Sequence, residues 1–108
     1  MARIEWSPRA REDLRLICDF IARDSKQYAK SFVQRAFETV ERCGEFPEAG
    51  SIVPEFDDPT LRERLVYQYR LVYRSVSESC VEIVAIVHGT RLLPADIRDD
   101  LPETDLDE

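Results

Sequence analysis

The chain has 108 residues, 44% of them hydrophobic, and a formal net charge of −7; that size suits one domain with a single core, and no apolar run approaches the ~20 residues of a membrane span. The charge is uneven, because residues 96–108 hold seven acids and one base, a net of −6, while the other 95 residues hold 15 acids and 14 bases, a net of −1. A body without excess positive charge is poorly suited to affinity built on many phosphate contacts.

Arg3 to Trp6 alternates, with Ile4 and Trp6 on one side, and reads as a short strand. Ser7 offers an N-cap, and Pro8 stands where a first helical residue tolerates a missing N–H. A first helix is expected over Pro8–Arg23, with Ala10, Leu14, Ile17, Cys18 and Ile21 as its apolar stripe. Leu16 and Phe20 widen that face or cover another element. Asp24 and Ser25 break the pattern and offer the next cap. A second helix is expected over Lys26–Cys43, with the stripe Ala29, Phe32, Val33, Ala36, Phe37 and Val40, and with Gly44 turning it off. The short connection between the two implies an antiparallel helical hairpin.

Residues 45–60 carry Pro47, Gly50, Pro54 and Pro59, so no regular element is expected there. Phe46, Ile52, Val53 and Phe56 should keep the segment ordered. Strands are expected over Leu61–Tyr67, Tyr69–Val76 and Val81–His88, the last two joined by Ser77, Glu78 and Ser79. The last strand, nearly all apolar, reads as covered on both faces or central in the sheet. The fold class is α+β, in the order β-α-α-β-β-β: a helical hairpin packed on one face of a small, mostly antiparallel sheet, whose other face is at least partly open. The domain is expected over residues 1–95. Residues 96–108 are expected to be a disordered acidic tail, and deleting residues 97–108 is expected to leave folding and partner binding nearly unchanged.

Cys18, Cys43 and Cys80 are far apart, no CxxC pair occurs, and His88 is the one histidine, so neither a metal nor a cofactor is expected. The cysteines read as small core residues in a reducing compartment. The N-terminus has no apolar signal-peptide core, which makes the cytoplasm the expected location. Arg62, Arg64, Arg70 and Arg74 lie on adjacent strands, and Arg91 lies just beyond the last one. Alternation places Arg70 and Arg74 on one face of their strand and Tyr69, Leu71 and Tyr73 on the other. Guanidinium groups converging on one surface would bind phosphate or carboxylate through forked hydrogen bonds. The alternative is ordinary ion pairing with Glu55, Asp57, Asp58, Glu63 and Glu82. His88 reads as a general acid/base or phosphate contact, or as a strand-end polar residue bonded to a neighbour. Tyr67, Tyr69 and Tyr73 either stack on bases or pack.

The segments WSPRAREDLRLICDFIARDS, EFPEAG, RLVYQYRLVYR and VEIVAIVHGTR, in this order and spacing, resemble the RelE/ParE superfamily of bacterial toxins, closest to its ParE branch, over about the first 95 residues. The resemblance implies a toxin neutralised by a cognate antitoxin, a small protein encoded beside it. ParE-like members act as protein ligands that poison DNA gyrase, and RelE-like members are ribosome-dependent mRNA endonucleases. Arg70 and Arg91 fall where the nucleases place catalytic arginines. However, no tyrosine follows Tyr73, the only lysines are Lys26 and Lys30, and the body is not basic. The gyrase reading is therefore preferred over enzyme activity. Arg70, His88 and Arg91 are catalytic candidates only if the chain is a metal-independent endoribonuclease. Arg62, Arg64, Arg70, Tyr73, Arg74 and Arg91 are the expected target- or antitoxin-binding residues. No membrane contact and no sequence-specific DNA binding by this chain alone are expected. A third reading is a non-toxic member that binds its antitoxin only.

Overall fold

The computed structural model describes residues 1–95 and Ile97. In chain order the elements are β1 (Arg3–Trp6), α1 (Pro8–Ala22), α2 (Lys26–Glu45), β2 (Ser51–Ile52), β3 (Leu61–Val66), β4 (Tyr69–Ser77) and β5 (Cys80–His88). The strands form one sheet in the order β1-β5-β4-β3-β2. β1 runs parallel to β5, and the other pairs are antiparallel. The α+β class and the β-α-α-β-β-β order hold, with β2 as an addition. Among the described residues, no helix is long and apolar enough to cross a membrane.

The helix starts follow from their caps. Ser7 Oγ accepts from Ala10 N at 3.0 Å and donates to Val84 O at 2.8 Å, so one hydroxyl caps α1 and ties it to β5. Ser25 Oγ accepts from Tyr28 N at 3.1 Å and caps α2. The end of α2 differs from expectation. The helix runs through Gly44 to Glu45, and no glycine in the described chain has positive φ. Gly44 is instead a point of close approach. A Cβ there would come within 2.9 Å of Ile4 Cδ1 and 3.2 Å of Ala2 O, while Gly44 O accepts from Ala2 N at 3.0 Å. The missing side chain therefore lets β1 pack against the helix rather than ending it.

The proline-rich segment also differs from expectation. It contains the two-residue strand β2, with Ser51 opposite Glu63 and Ile52 opposite Arg62. Between prolines, two residues are enough to close a pair of ladder positions. The preceding turn is fixed by Tyr73, whose hydroxyl accepts from Gly50 N at 3.0 Å and donates to Pro47 O at 2.8 Å. A Cβ on Gly50 would collide with that hydroxyl and lie 2.8 Å from Glu63 O. This contact accounts for the glycine that ends EFPEAG.

The sheet is covered on both faces. Beneath the helices, Ala10, Phe32, Ala36, Val40 and Cys43 pack on Val66, Leu71, Tyr73, Val81, Ile83 and Ile86. On the other face, Val72, Val84, Ala85 and Leu61 pack with Val53, Leu93 and Ile97. That second core covers part of the face expected to be at least partly open: the turn after β2 and the segment after β5 fold over it, while Leu65 on the same face stays 68% exposed. A register shift between Val72 and Tyr73 opposite β5 lets the consecutive residues Val84 and Ala85 both join the second core. Ile97 lies past the expected domain boundary at residue 95, yet it is 0% exposed in this cluster. The rest of the expected tail, Asp96 and residues 98–108, lies outside the described residues.

Candidate functional site

The hairpin turn between β3 and β4 decides where the arginines point. It is two residues long, because Val66 pairs with Tyr69. Its first residue, Tyr67, takes φ 53°, a conformation that costs a non-glycine residue stability unless neighbours hold it. Phe32 stacks on the Tyr67 ring at 6.3 Å, and Arg35 lies 5.2 Å from its centroid. The register that follows sets Arg62 opposite Tyr73 and Arg64 opposite Leu71, while Arg70 faces Leu65 and Arg74 faces Leu61. Directly opposed residues share a sheet face. Arg62 and Arg64 therefore lie on the helix side, and Arg70 and Arg74 lie on the other. The four strand arginines therefore do not share one surface.

Arg70 is the most constrained of them. Its side chain is 8% exposed. Nη1 and Nη2 donate to Glu55 at 2.7 Å each, Nε donates to Glu63 Oε1 at 2.6 Å, and Nη1 also donates to Arg91 O at 3.1 Å. Glu55 Oε2 in turn accepts from Leu93 N at 2.9 Å. One guanidinium thus joins the turn after β2, strand β3 and the segment after β5. The Arg70 hydrogen bond, and then the Leu93 N–H, hold the Glu55 carboxyl down at about 2 despite its partial burial. A depressed folded value contributes stability above the ordinary carboxylate range and loses it as pH falls from about 4.5 towards 2. Urea unfolding from pH 7 to pH 2.5 should therefore show a steeper loss for the wild type than for Glu55→Gln. Equal slopes would mean that the pair carries no linked stability.

The remaining candidates fall in different places. Arg62 Nε donates to Pro59 O at 3.0 Å, and its Nη1 donates to Glu48 O and Gly50 O at 3.1 and 2.9 Å, so Arg62 braces the loops that flank β2. Tyr73 is fully buried with its hydroxyl engaged, and it offers no surface to a partner. Arg74 is 9% exposed, opposite Glu82 on β5. Burial, followed by the charge of Glu5, pushes the Glu82 carboxyl up. Arg64 is half-buried beside α2.

Among the described residues, Arg91 lines two clefts with another candidate: one with Arg70, Glu55 and Glu63, and a groove with His88. The groove measures about 530 Å³ and runs between α1 and the end of β5, with Leu16, Ile17, Phe20 and Tyr69 as its apolar lining and Asp13 among its polar groups. Leu16 and Phe20 are 52% and 60% exposed, so among the described residues no other element covers them. His88 Nδ1 lies 2.8 Å from Thr90 Oγ1 and accepts from Thr90 N at 3.2 Å. That acceptor role places the proton of the neutral ring on Nε2. The Tyr69 ring meets His88 edge-on at 5.4 Å. Asp13 Oδ2 accepts from Ile86 N at 2.9 Å, and burial pushes its carboxyl up. Asp13 is not among the candidates named from the sequence. Its signal was its helical position, three residues after Ala10 and four before Ile17, on the apolar stripe itself.

Beyond Ser7 the outer edge of β5 has no strand beside it, because β1 pairs only with Cys80 to Ile83. α1 supplies substitute partners there, through Ser7 to Val84 O and Asp13 to Ile86 N. The groove therefore combines a sheet edge with exposed apolar side chains.

Comparisons with known proteins agree with this architecture. The model of the family described as the ParE toxin of type II toxin–antitoxin systems, parDE, matches residues 4–93. Toxin RelE2 of Caulobacter vibrioides is 33% identical over 92 residues, which span 85% of this chain and all of that protein. A solved chain of the chromosomal ParDE TA system from P. aeruginosa shares the fold, with a TM-score of 0.65 and 22% identity over 82% of this chain and 96% of that one. The matched region reaches from β1 past Arg91 to Leu93 and so includes both helices, the whole sheet and the groove. This chain belongs to the ParE toxin family of type II toxin–antitoxin systems, within the RelE/ParE superfamily.

Proposed function

We propose that the chain acts as a ParE-like toxin: it binds and inhibits DNA gyrase as a protein ligand, and a cognate antitoxin neutralises it. The observation that carries this reading is the engagement of Arg70. A nuclease arginine has to meet the scissile phosphate, and this one is enclosed by Glu55 and Glu63. The face it shares offers Glu63 and Leu65 from β3, while the β3 arginines point the other way. Stabilising a phosphoryl transition state takes several positive or donor groups aimed at one point; Arg91 shares a cleft with Arg70, but Glu55 and Glu63 line it too and already engage the Arg70 guanidinium. The groove between α1 and β5 suits a protein better, because it is apolar, bordered by a sheet edge, and able to receive an extended or helical segment. The name of the P. aeruginosa relative, a ParDE system, supports an antitoxin as one occupant.

A nuclease reading has two observations in its favour. His88 and Arg91 line one groove with Tyr69, and the Caulobacter relative is named Toxin RelE2. Pulse labelling with thymidine and with amino acids, after induction of the chain alone in bacterial cells, separates the two readings. Early loss of DNA synthesis with continuing translation is the expected result, and Arg91→Ala should weaken it without lowering the melting temperature. Early loss of translation would replace the gyrase reading with the nuclease one. Loss of neither would leave a member that binds its antitoxin only.

A further inference from the structure

The cleft that Arg91 shares with Arg70 differs in composition from the groove beside α1. It measures about 520 Å³, with Glu55, Glu63, Arg70 and Arg91 as its charged groups and Leu65 and Leu92 among its apolar ones. Two acids and two bases leave the lining without net charge. The four are not equally engaged. Arg70 is held by Glu55 and Glu63 within the chain. Arg91 is exposed, and its guanidinium makes no ion pair among the described residues. Its backbone is fixed, because its N–H donates to His88 O and its carbonyl accepts from Arg70 Nη1. Glu63 gives Oε1 to Arg70 Nε, and its Oε2 makes no hydrogen bond among the described residues. That side chain is 20% exposed. The cleft therefore presents one uncommitted cation and one uncommitted carboxylate oxygen that do not meet inside the chain.

Two large apolar side chains stand beside them. Leu65 is 68% exposed and Leu92 is 81% exposed. Leu65 projects from the same sheet face as Arg70, because the two are directly opposed. Leu92 is turned outward where its neighbour Leu93 turns into the second core. Single exposed leucines are ordinary, but two on the rim of one charged cleft form a patch of the kind that marks a protein contact.

The charges narrow the choice of occupant. Glu55 and Glu63 repel a nucleic acid or a strongly acidic peptide, and Arg70 and Arg91 repel a strongly basic one. A surface that carries one uncommitted group of each sign complements itself, since a two-fold axis sets each group opposite its counterpart on an identical surface. We propose that this cleft is the contact between two copies of the chain related by a two-fold axis. Arg91 of each copy pairs with Glu63 of the other, and Leu65 and Leu92 of both copies close over the pairs. The patch is smaller than a standard interface, so the association is weak and depends on concentration. Pairing covers Arg91 and withholds it from any other partner. The inference does not depend on gyrase being the target.

The test is sedimentation velocity of the purified full chain from about 5 to about 500 µM, which brackets the dissociation constants of weak interfaces. A shift from monomer to dimer with rising concentration is expected. Leu65→Ser and Leu92→Ser, both exposed changes, should each weaken the dimer at least tenfold without lowering the melting temperature. Arg91→Glu and Glu63→Lys should each abolish self-association, because each sets like charges face to face at both contacts. An equimolar mixture of those two variants should restore the dimer, because both contacts of the mixed pair then join opposite charges. A monomer at every concentration overturns the proposal, and so does a dimer indifferent to both leucine changes. Failure of the mixture to associate, with both variants folded by circular dichroism, overturns the pairing of Arg91 with Glu63. If Glu63→Lys does not fold, because Arg70 also needs that carboxylate, the leucine variants decide the outcome.

Discussion

Replacing Arg70 with alanine is expected to destabilise the protein by about 3–5 kcal/mol, the range for removing one partner of a buried ion pair. The change leaves Glu55 and Glu63, 15% and 20% exposed at their side chains, facing each other without the guanidinium between them. It also releases the Arg91 carbonyl from its hydrogen bond. Arg70→Lys should fall in between, because an ammonium cannot make the forked contact with Glu55 and reach Glu63 as well. Neutralising the acids together with the arginine, as Arg70→Met with Glu55→Gln and Glu63→Gln, should recover part of the loss, since the cost arises from uncompensated charge rather than from lost attraction alone. The measurement is the urea midpoint of each variant. An Arg70→Ala midpoint within error of the wild type would show that the network is not structural. The result bears on function, because the sequence places Arg70 among the expected target- or antitoxin-binding residues. With Arg70 enclosed, a loss of toxicity in that variant would reflect stability, whereas the exposed Arg91 remains a position where activity and folding can be separated.

The helices and the three longer strands could be read from the sequence, because each carries its own period: the 3.6-residue stripe through Phe32, Ala36 and Val40, the alternation of Tyr69 to Arg74, and the caps at Ser7 and Ser25. The placement of the arginines could not, because it depends on register rather than on period. A one-residue slip in pairing moves every β3 side chain to the other face. The turn that fixes the register, Tyr67 and Gln68, carries no glycine, asparagine or aspartate to announce it. Its strained first residue is held by Phe32 and Arg35 from α2, which are contacts distant in sequence. The same limit applies to Gly44. A glycine after a helical stripe ordinarily marks the helix end, and only the approach of β1 shows that here it makes room for another chain segment. The partnership of Arg70 with Glu55 and Glu63 was foreseeable as ordinary ion pairing. What the sequence could not show is that both acids would meet on one guanidinium, which requires the turn after β2 to fold back over the sheet.

That fold-back makes Ile97 the subject of the second large effect. Ile97 is 0% exposed and packs with Val53, Leu61, Val72, Val84 and Leu93, although the sequence assigns it to the acidic tail. Ile97→Ala should destabilise by about 2–4 kcal/mol, through lost burial and the cavity left behind. For a domain of this size that loss corresponds to a fall in melting temperature on the order of 10–20 °C. A chain ending at Ile97 keeps this contact and should melt close to the full-length protein, whereas a chain ending at Asp96 should behave like Ile97→Ala or worse. Deleting residues 97–108, expected from sequence to be nearly neutral, therefore divides into two experiments with opposite outcomes at a boundary one residue wide. If the chains ending at Asp96 and Ile97 melt at the same temperature, the second core closes without Ile97, and Leu93 with Val53 must seal that face. If they differ as expected, the segment after β5 is part of the fold. The Arg70–Glu55 clasp and Ile97 then anchor it at two points, leaving Arg91 exposed between His88 and the covered sheet face.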